Sequence, residues 1–403
     1  MTLYPFQQTA VEFHLTHHYS LNCSEMGLGK SRMALETARR VGGKIAIFGP
    51  AFLRATWENE AGLVGGIDFK YIPYSMLHKV RPRDLAGVMF WIADEVHFLK
   101  NPKAIRTHEF HTLLESCAPR YFIGLTGTPV KNRVPDFWTL LAFCGMNPLK
   151  TSGKDLTGDL RKYFKFSRYF CHVEQMRIRG RVIERFGGIR DDRILEFKSL
   201  LVDKFIRFKV EDVLKDLPVM TRKEVRLNVV PTDGLEDVFN AYIAGHKTDI
   251  TAKANSALVK APATAEYCKN MIDEGSGPLV IFTDHVQPAY LIAEKIKGAI
   301  HITGQTAMAT RADVVALFQR GKVPALVATI GSLSVGVTLT AARHVVFNDL
   351  SWVPSDNLQA EKRVHRIGQK DACFAHYIDG TETDKHIRKT LFAKLETIEK
   401  VVG

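Results

Sequence analysis

The sequence predicts an α/β protein with two parallel-sheet lobes, and three observations support this class. From Tyr19 onward, short apolar runs alternate with helical patterns, which favours a parallel sheet flanked by helices. A charged, helix-leaning stretch from Leu149 to Gly275 interrupts the alternation, which restarts after it. The chain has 403 residues, whereas one domain usually holds ~100–200. We therefore expect two lobes with a helical insertion.

The first lobe is predicted from strands that are short, continuous and apolar, as buried strands of parallel sheets are. A helical pattern over Arg32–Val41 follows the first strand, and Gly42 with Gly43 can end that helix. The predicted strands are Tyr19–Cys23, Lys44–Phe48, Val88–Ala93 and Tyr121–Leu125.

The second lobe begins where Val225, Leu227 and Val229 alternate with polar residues after Pro218, as in a half-buried strand. We place the domain boundary there, with residues 1–217 in the N-terminal lobe and 218–403 in the C-terminal lobe. Helical spacing from Thr381 to Val402 predicts a C-terminal bracing helix that packs back on the body. The other predicted elements are strands Leu279–Thr283, Ala299–Thr303, Ala325–Thr329 and His344–Asn348, and helices Gln287–Ile296 and Arg311–Gln319.

Charge favours a polyanionic partner. Lys and Arg number 55 against 43 Asp and Glu, which gives a net charge of +12, and nucleic acid is the simplest such partner. Six scattered cysteines predict neither a zinc site nor a disulfide framework. No apolar run approaches the ~18 residues of a membrane span, so we expect a soluble intracellular protein. We also expect a monomer, with a bacterial or viral-host cytoplasm favoured and nuclear use left open.

A basic patch lies in the insertion, at Arg177, Arg179, Arg181 and Arg185. Such a patch is typical of a solvated hairpin, and the alternative is a surface that contacts phosphates.

A phosphate-binding loop is predicted between the first strand and the Arg32–Val41 helix. Backbone N–H groups of such a loop face the phosphates, while Lys30 reaches the β/γ oxygens and Ser31 ligates Mg²⁺. Ser24 replaces the usual first glycine, so a loop without this function is the alternative. The nucleotide-binding candidates in the loop are Glu25, Met26, Gly27, Leu28, Gly29, Lys30 and Ser31.

Asp94 and Glu95 end another apolar strand, which we expect to lie next to the strand that leads into the phosphate loop. Asp94 would hold Mg²⁺, and Glu95 would orient or deprotonate the attacking water. The alternative for an Asp-Glu pair is a solvated turn, and His97 argues against it here.

Arg363 and Arg366 are three residues apart on a predicted helix and would share one face. Their guanidinium groups could reach the γ-phosphate across a cleft and stabilise the charge that develops during transfer.

These motifs resemble, in order along almost the whole chain, the Swi/Snf-type branch of the superfamily 2 helicase-like ATPases. The phosphate loop, the acidic box at Asp94–His97 and the arginine segment ending in Arg366-Ile367-Gly368-Gln369 carry most of the resemblance. The sequence of Thr338–Ala342 is most similar to the branch that contains annealing helicases. Where the family has two arginines before its inter-lobe connector, this chain has Arg207 and Phe208.

The resemblance implies two tandem RecA-like lobes and assigns further residues. Gln7, in Leu3–Gln7, would read the adenine of ATP, and a segment following the Tyr121–Leu125 strand would couple nucleotide state to DNA grip. The residues with this coupling or DNA-contact role are Thr126, Gly127, Thr128, Gly336 and Gln359.

The implied function is an ATP- and Mg²⁺-dependent motor that translocates on double-stranded or branched DNA without sequence preference. One alternative is a helicase that separates or anneals strands. Another is a non-catalytic DNA-binding scaffold with a degenerate ATPase site, against which the intact Lys30, Asp94, Glu95, Arg363 and Arg366 argue.

Overall fold

Two compact units make up the chain in a computed structural model that describes residues 3–129, 134–145, 160–178, 181–229, 249–333 and 337–402. The first unit is Met1–Lys215 together with Lys394–Gly403, and the second is Asp216–Ala393. The domain boundary between residues 217 and 218 stays a prediction.

The first unit is built on a six-stranded sheet in which every pairing is parallel. The four strands predicted for this lobe are present as β1, β2, β4 and β5, and the strand order is β3-β2-β4-β5-β1-β8. Their bounds are β1 Tyr19–Asn22, β2 Lys44–Gly49, β3 Phe69–Pro73, β4 Val88–Asp94, β5 Tyr121–Leu125 and β8 Phe205–Ile206.

Helices of the first unit flank this sheet and bury an aromatic core against it. Phe48, Trp91 and Phe122 of three neighbouring strands pack with Phe110 of a helix in one buried cluster. The helices are α1 Pro5–Thr16, α2 Lys30–Val41, α3 Arg54–Val64, α4 Ile105–Cys117, α5 Phe137–Phe143, α6 Leu160–Phe170, α7 Ile194–Ser199 and α8 Val210–Val213.

The insertion contains an antiparallel hairpin, β6 Cys171–Ile178 paired with β7 Arg181–Ile189. The basic patch therefore lies on a hairpin, although Arg179 is outside the described residues. A second aromatic cluster, which includes Trp138, Phe166 and Phe197, packs beside it.

The second unit also has a six-stranded sheet with parallel pairings throughout, in the order β11-β12-β10-β13-β14-β9. The predicted α/β class with two parallel-sheet lobes is thus confirmed. The strands are β9 Met220–Arg226, β10 Leu279–Thr283, β11 Ile300–Ile302, β12 Ala325–Thr329, β13 His344–Phe347 and β14 Cys373–Asp379.

The opening strand of this unit differs from the expectation. It ends at Arg226, so Leu227 and Val229 lie beyond it. Among the described residues β9 pairs only with β14, at the edge of the sheet, and Thr221–Glu224 are exposed, so burial imposes little apolar pattern on that part of the strand.

The remaining helices include the predicted C-terminal one, in which Ile387 and Leu391 are buried. Asp384, in its first turn, accepts hydrogen bonds from the backbone N–H groups of Gly380 and Thr381, which precede the helix. Among the described residues, no helix is long and apolar enough to cross a membrane. The helices are α9 Asp249–Asp273, α10 Val286–Lys295, α11 Met308–Gln319, α12 Pro354–Val364 and α13 Glu382–Val402.

Candidate nucleotide site

The loop between β1 and α2 has the backbone geometry of a phosphate cradle. Gly27 and Gly29 hold left-handed conformations, with φ of 82° and 79°. Gly29 is the N-cap of α2, so the unpaired N–H groups of the first helical turn face the loop. Any side chain at Gly29 would also meet Gln7, because a Cβ there would lie 2.6 Å from the Gln7 Nε2 atom. Only glycine satisfies both conditions.

Gln7 is fixed against this loop. Its Nε2 atom donates to the Leu28 carbonyl at 3.0 Å, and its Oε1 atom accepts from the Tyr4 N–H at 3.1 Å. The side chain is buried. The predicted adenine contact would use a group whose orientation these two hydrogen bonds already set.

Lys30 begins α2 and folds its side chain back over the loop. Its Nζ atom donates to the carbonyls of Ser24 at 2.8 Å and Glu25 at 3.1 Å. Burial lowers the pKa of Lys30, and the charges of Glu95 and Asp94 oppose that shift. The ammonium group and the two carboxylates are therefore close enough to interact. Ser31 follows in the first turn, half-buried.

Asp94 ends β4, and both of its carboxylate oxygens are engaged. Trp57 Nε1 donates to Oδ2 at 2.8 Å, and the Glu95 N–H donates to Oδ1 at 2.9 Å. Burial and then the Glu95 charge raise the pKa of Asp94 to about 7, against the opposing effects of Trp57 and Lys30. A half-buried carboxylate beside a second acidic group suits a bound cation, which would stabilise its ionised form.

Glu95 has a left-handed backbone, with φ of 48°, which costs a non-glycine residue roughly 1–2 kcal/mol. Its Oε2 atom lies 3.2 Å from His97 Nδ1, and that nitrogen lies 2.9 Å from Thr126 Oγ1. Thr126 Oγ1 also accepts the Thr128 N–H at 3.1 Å. The acidic box and the segment after β5 are thus joined through His97.

The strand order corrects one expectation about this site. β4, which carries Asp94, is not adjacent to β1, because β5 pairs with both and lies between them. The segment after β5 therefore enters the site. A Cβ on Gly127 would lie 2.7 Å from Met26 Cγ and 3.3 Å from Lys30 Nζ, so glycine permits this close approach.

Residues after β8 hold the phosphate loop from its other side, and the sequence reasoning did not assign them this role. The Phe208 carbonyl accepts the Glu25 N–H at 2.9 Å, and the Ser24 hydroxyl accepts the Phe208 N–H at 3.3 Å. Glu25 Oε2 accepts the Val210 N–H at 3.1 Å. Ser24 replaces the glycine of the strict pattern. This departure was the available sequence signal that the position has another role.

The predicted arginines lie in the second unit. α12 ends at Val364, so Arg366 lies beyond the helix and the two do not share a helical face. His365 leaves the helix with φ of −93° and ψ of 87°, yet Arg363 and Arg366 both direct Nη1 to the Val337 carbonyl, at 3.4 and 3.5 Å.

The two remaining coupling residues of that unit have different outcomes. Gln359 is only 3% exposed, so its side chain lies in the interior of the unit and its DNA contact stays a prediction. Gly336 is outside the described residues.

Comparison with known proteins finds two domain families in chain order. Residues 63–261 match the SNF2-related domain, and residues 263–368 match the helicase conserved C-terminal domain.

Relatives with similar sequences align along nearly the whole chain. The SWI/SNF-related matrix-associated actin-dependent regulator of chromatin subfamily A-like protein 1 of Xenopus tropicalis is 28% identical, over 95% of this chain and 43% of its own length. The DNA annealing helicase and endonuclease ZRANB3 of Mus musculus is 24% identical, over 100% of this chain and 40% of its own. This chain therefore spans less than half the length of these relatives.

A solved SWI2/SNF2 ATPase core from Sulfolobus solfataricus, in complex with double-stranded DNA, is also similar. It is 19% identical with a TM-score of 0.44, over 100% of this chain and 93% of its own. The two relatives named above come from Xenopus tropicalis and Mus musculus, which are animals. The bacterial or viral location therefore stays a prediction. The two domain matches and the relatives agree with the motifs: the chain belongs to the SNF2 family of helicase-like ATPases.

Proposed function

We propose that this chain is an ATP-hydrolysing motor that translocates along double-stranded DNA. The observation that carries the proposal is the convergence of Lys30, Asp94 and Glu95 at the carboxyl edge of the first sheet. The segment after β5 connects them, because a Cβ on Gly127 would lie 3.3 Å from Lys30 Nζ and Thr126 is joined to Glu95 through His97. The glycine loop lies beside Lys30. This combination suits phosphoryl transfer, in which positioning and charge stabilisation supply most of the catalysis.

The side chains have distinct roles in this proposal. Lys30 would exchange the Ser24 and Glu25 carbonyls for phosphate oxygens, and the N–H groups at the start of α2 would bind the same group. Ser31 and Asp94 would hold Mg²⁺, which would neutralise phosphate charge when bound. Glu95 would accept a proton from, or orient, the attacking water.

Arg363 and Arg366 would complete the site from the second unit. They approach one carbonyl, that of Val337, so their guanidinium groups already converge. Convergent arginines can stabilise the negative charge on a transferring phosphoryl group.

DNA is the proposed partner. The net charge of +12 favours a polyanion, and contacts of this kind are independent of sequence and weaken with salt. The second candidate function, strand annealing or separation, is favoured by the name of the mouse relative, a DNA annealing helicase. Mg²⁺ use, a monomeric state and action on branched DNA belong to the same proposal.

ATP hydrolysis measured side by side with duplex DNA, single-stranded DNA, branched DNA and RNA tests this function. We expect the greatest stimulation with DNA that contains a duplex. Displacement of a third strand from a triplex, without separation of a tailed duplex, would identify translocation. Separation or annealing of complementary strands would favour the second candidate, and no stimulation by any DNA at low salt with Mg²⁺ would contradict both.

A further inference from the structure

The hairpin β6–β7 in the first unit is anchored at its base. Cys171, Phe186 and Ile189 are buried in the aromatic cluster with Phe170, and the Arg190 N–H donates to the Phe170 carbonyl at 2.8 Å. Buried aromatic packing of this kind holds the base in one orientation.

The outer part of the hairpin is exposed on both faces. Residues 172–177 of β6 are all exposed, and so are Val182 and Ile183 of β7. Within the described part of the chain, β6 and β7 pair only with each other. The result is a two-stranded arm that carries large apolar side chains in solvent, including Met176 at 40% exposure and Ile183 at 47%.

The arm also carries positive charge that the described residues do not neutralise. Residues 171–189 contain four arginines and two glutamates. Of the two glutamates, Glu184 is bound by Arg168, with Nε 3.0 and 3.1 Å from its two oxygens. Neither Arg177 nor Arg185 has an ion-pair partner among the described residues, and both are exposed.

The register places these arginines on opposite faces. Arg177 lies opposite Val182, whereas Arg185 lies opposite Glu174, three rows away along β6. Side chains of successive cross-strand rows point to alternate faces of a ribbon. Residues an odd number of rows apart therefore lie on opposite faces. The Met176–Ile183 row lies between them, on the face that carries Arg185.

We infer that this hairpin is a DNA-contacting arm that enters a groove of the duplex tip first. The major groove is ~12 Å wide and admits a two-stranded ribbon. In that pose the two faces look toward the two phosphate walls, so Arg177 and Arg185 each reach one. The Met176–Ile183 row, on the face that carries Arg185, would pack against the sugars of the wall that Arg185 contacts. The inference rests on the proposed function, because it supplies a contact for the DNA on which the motor acts.

Substitution of both arginines tests the electrostatic half. For Arg177→Ala with Arg185→Ala we expect duplex affinity to fall ~10-fold near physiological salt, and the slope of log affinity against log salt to decrease in magnitude by ~2. ATP turnover at saturating DNA should not change, because neither residue belongs to the nucleotide site. Glu174→Gln is the matched control, since removal of this exposed negative charge from the same arm should tighten binding.

Substitution of the apolar row tests the other half. Met176→Ser with Ile183→Ser should weaken duplex binding without changing the salt slope, because no phosphate contact is lost. Thermal unfolding of every variant checks that the arm still folds.

The outcomes separate the arm from the motor. Unchanged duplex affinity and salt slope in the folded arginine variant would overturn the arm proposal. If that variant instead lost binding to polyglutamate alone, the arm would be a site for an acidic protein and the DNA assignment would be wrong. Arginine-dependent DNA binding by a chain whose ATP hydrolysis DNA does not stimulate would support the arm and contradict the proposed function.

Discussion

Left-handed backbone conformations at two residues, Gly29 and Glu95, lie on the two sides of the candidate nucleotide site. Gly29 adopts its φ without strain, while Glu95 pays roughly 1–2 kcal/mol for the same region. Strain of this kind persists where the surroundings fix a functional side chain. The sequence motifs identified Gly29 and Glu95 as site residues. Their backbone conformations and the contact of Gln7 with Gly29 depend on residues far apart in sequence, so the motifs could not predict them.

Gly29→Ala should abolish nucleotide binding, and the accompanying loss of fold stability should be too small to explain this effect. The added Cβ would displace the Gln7 side chain from 2.6 Å, and the positive φ would destabilise the fold by ~1 kcal/mol. Gly65→Ala is the control, because Gly65 has φ of 119° and no atom within 4 Å of the added Cβ. Equal nucleotide affinity in the two variants, measured by calorimetry, would contradict this assignment.

Trp57→Phe should raise the Mg²⁺ concentration needed for half-maximal ATP hydrolysis by ~10-fold, the low end of the effect of losing an outer-shell partner of a metal ligand. The substitution removes the indole N–H that donates to Asp94. That hydrogen bond favours the ionised form of the carboxylate. Trp91→Phe is the matched control, because the Trp91 indole nitrogen, in the same strand as Asp94, is buried without a hydrogen-bond partner in the described residues. The same Mg²⁺ shift in both variants would indicate a packing effect.

Whole elements were predictable from the sequence where both of their faces are buried. β5, β10 and β12 have the predicted bounds, and all five residues of each are buried. β9 begins before the predicted alternation, which starts at Val225, because Thr221–Glu224 are exposed and carry no apolar pattern. The position of β5 between β1 and β4 is set by long-range pairing, which no local pattern records, so the predicted adjacency was wrong.

A histidine pair on neighbouring strands of the second unit should make the protein acid-sensitive. His344 Nδ1 lies 3.0 Å from His376 Nε2, and burial lowers the pKa of each to about 4. Because the unfolded histidines have pKa values near 6.5, unfolding takes up protons between that pH and 4. Stability is therefore present above pH 6.5 and lost as pH falls toward 4.

His344→Phe should reduce this loss of stability. The slope of the free energy of unfolding against pH should fall by the equivalent of about one bound proton. The ring stack on Phe374, with centroids 5.0 Å apart, can be kept by phenylalanine. An unaltered slope in the His344 variant would show that this pair does not control acid unfolding.

At the scale of the whole molecule, residues predicted for the nucleotide site occur in both units. Lys30, Asp94 and Glu95 lie in the first unit, and Arg363 and Arg366 lie in the second. The motifs predicted this division because each follows its own strand pattern. The contacts of Ser24 and Glu25 with Phe208 and Val210 were not predictable, since they join segments more than 180 residues apart.

Arg366→Ala should lower kcat far more than it lowers ATP affinity. An arginine that acts on the charge developing during phosphoryl transfer contributes to the transition state more than to the bound substrate. Steady-state kinetics at saturating duplex, with ATP binding measured separately, gives both quantities. Equal losses in the two would place Arg366 outside the transferring group.

Duplex-stimulated ATP hydrolysis, compared between the unmodified chain, Lys30→Ala and Glu95→Gln, tests the proposed motor most directly. We expect strong stimulation in the unmodified chain and at least ~100-fold lower turnover in both variants, since a positioned acid–base group and a positioned phosphate donor are each worth about that much. DNA binding should be largely kept in both variants. An unmodified chain that duplex DNA does not stimulate, or a Glu95→Gln variant that turns over normally, would contradict the assignment.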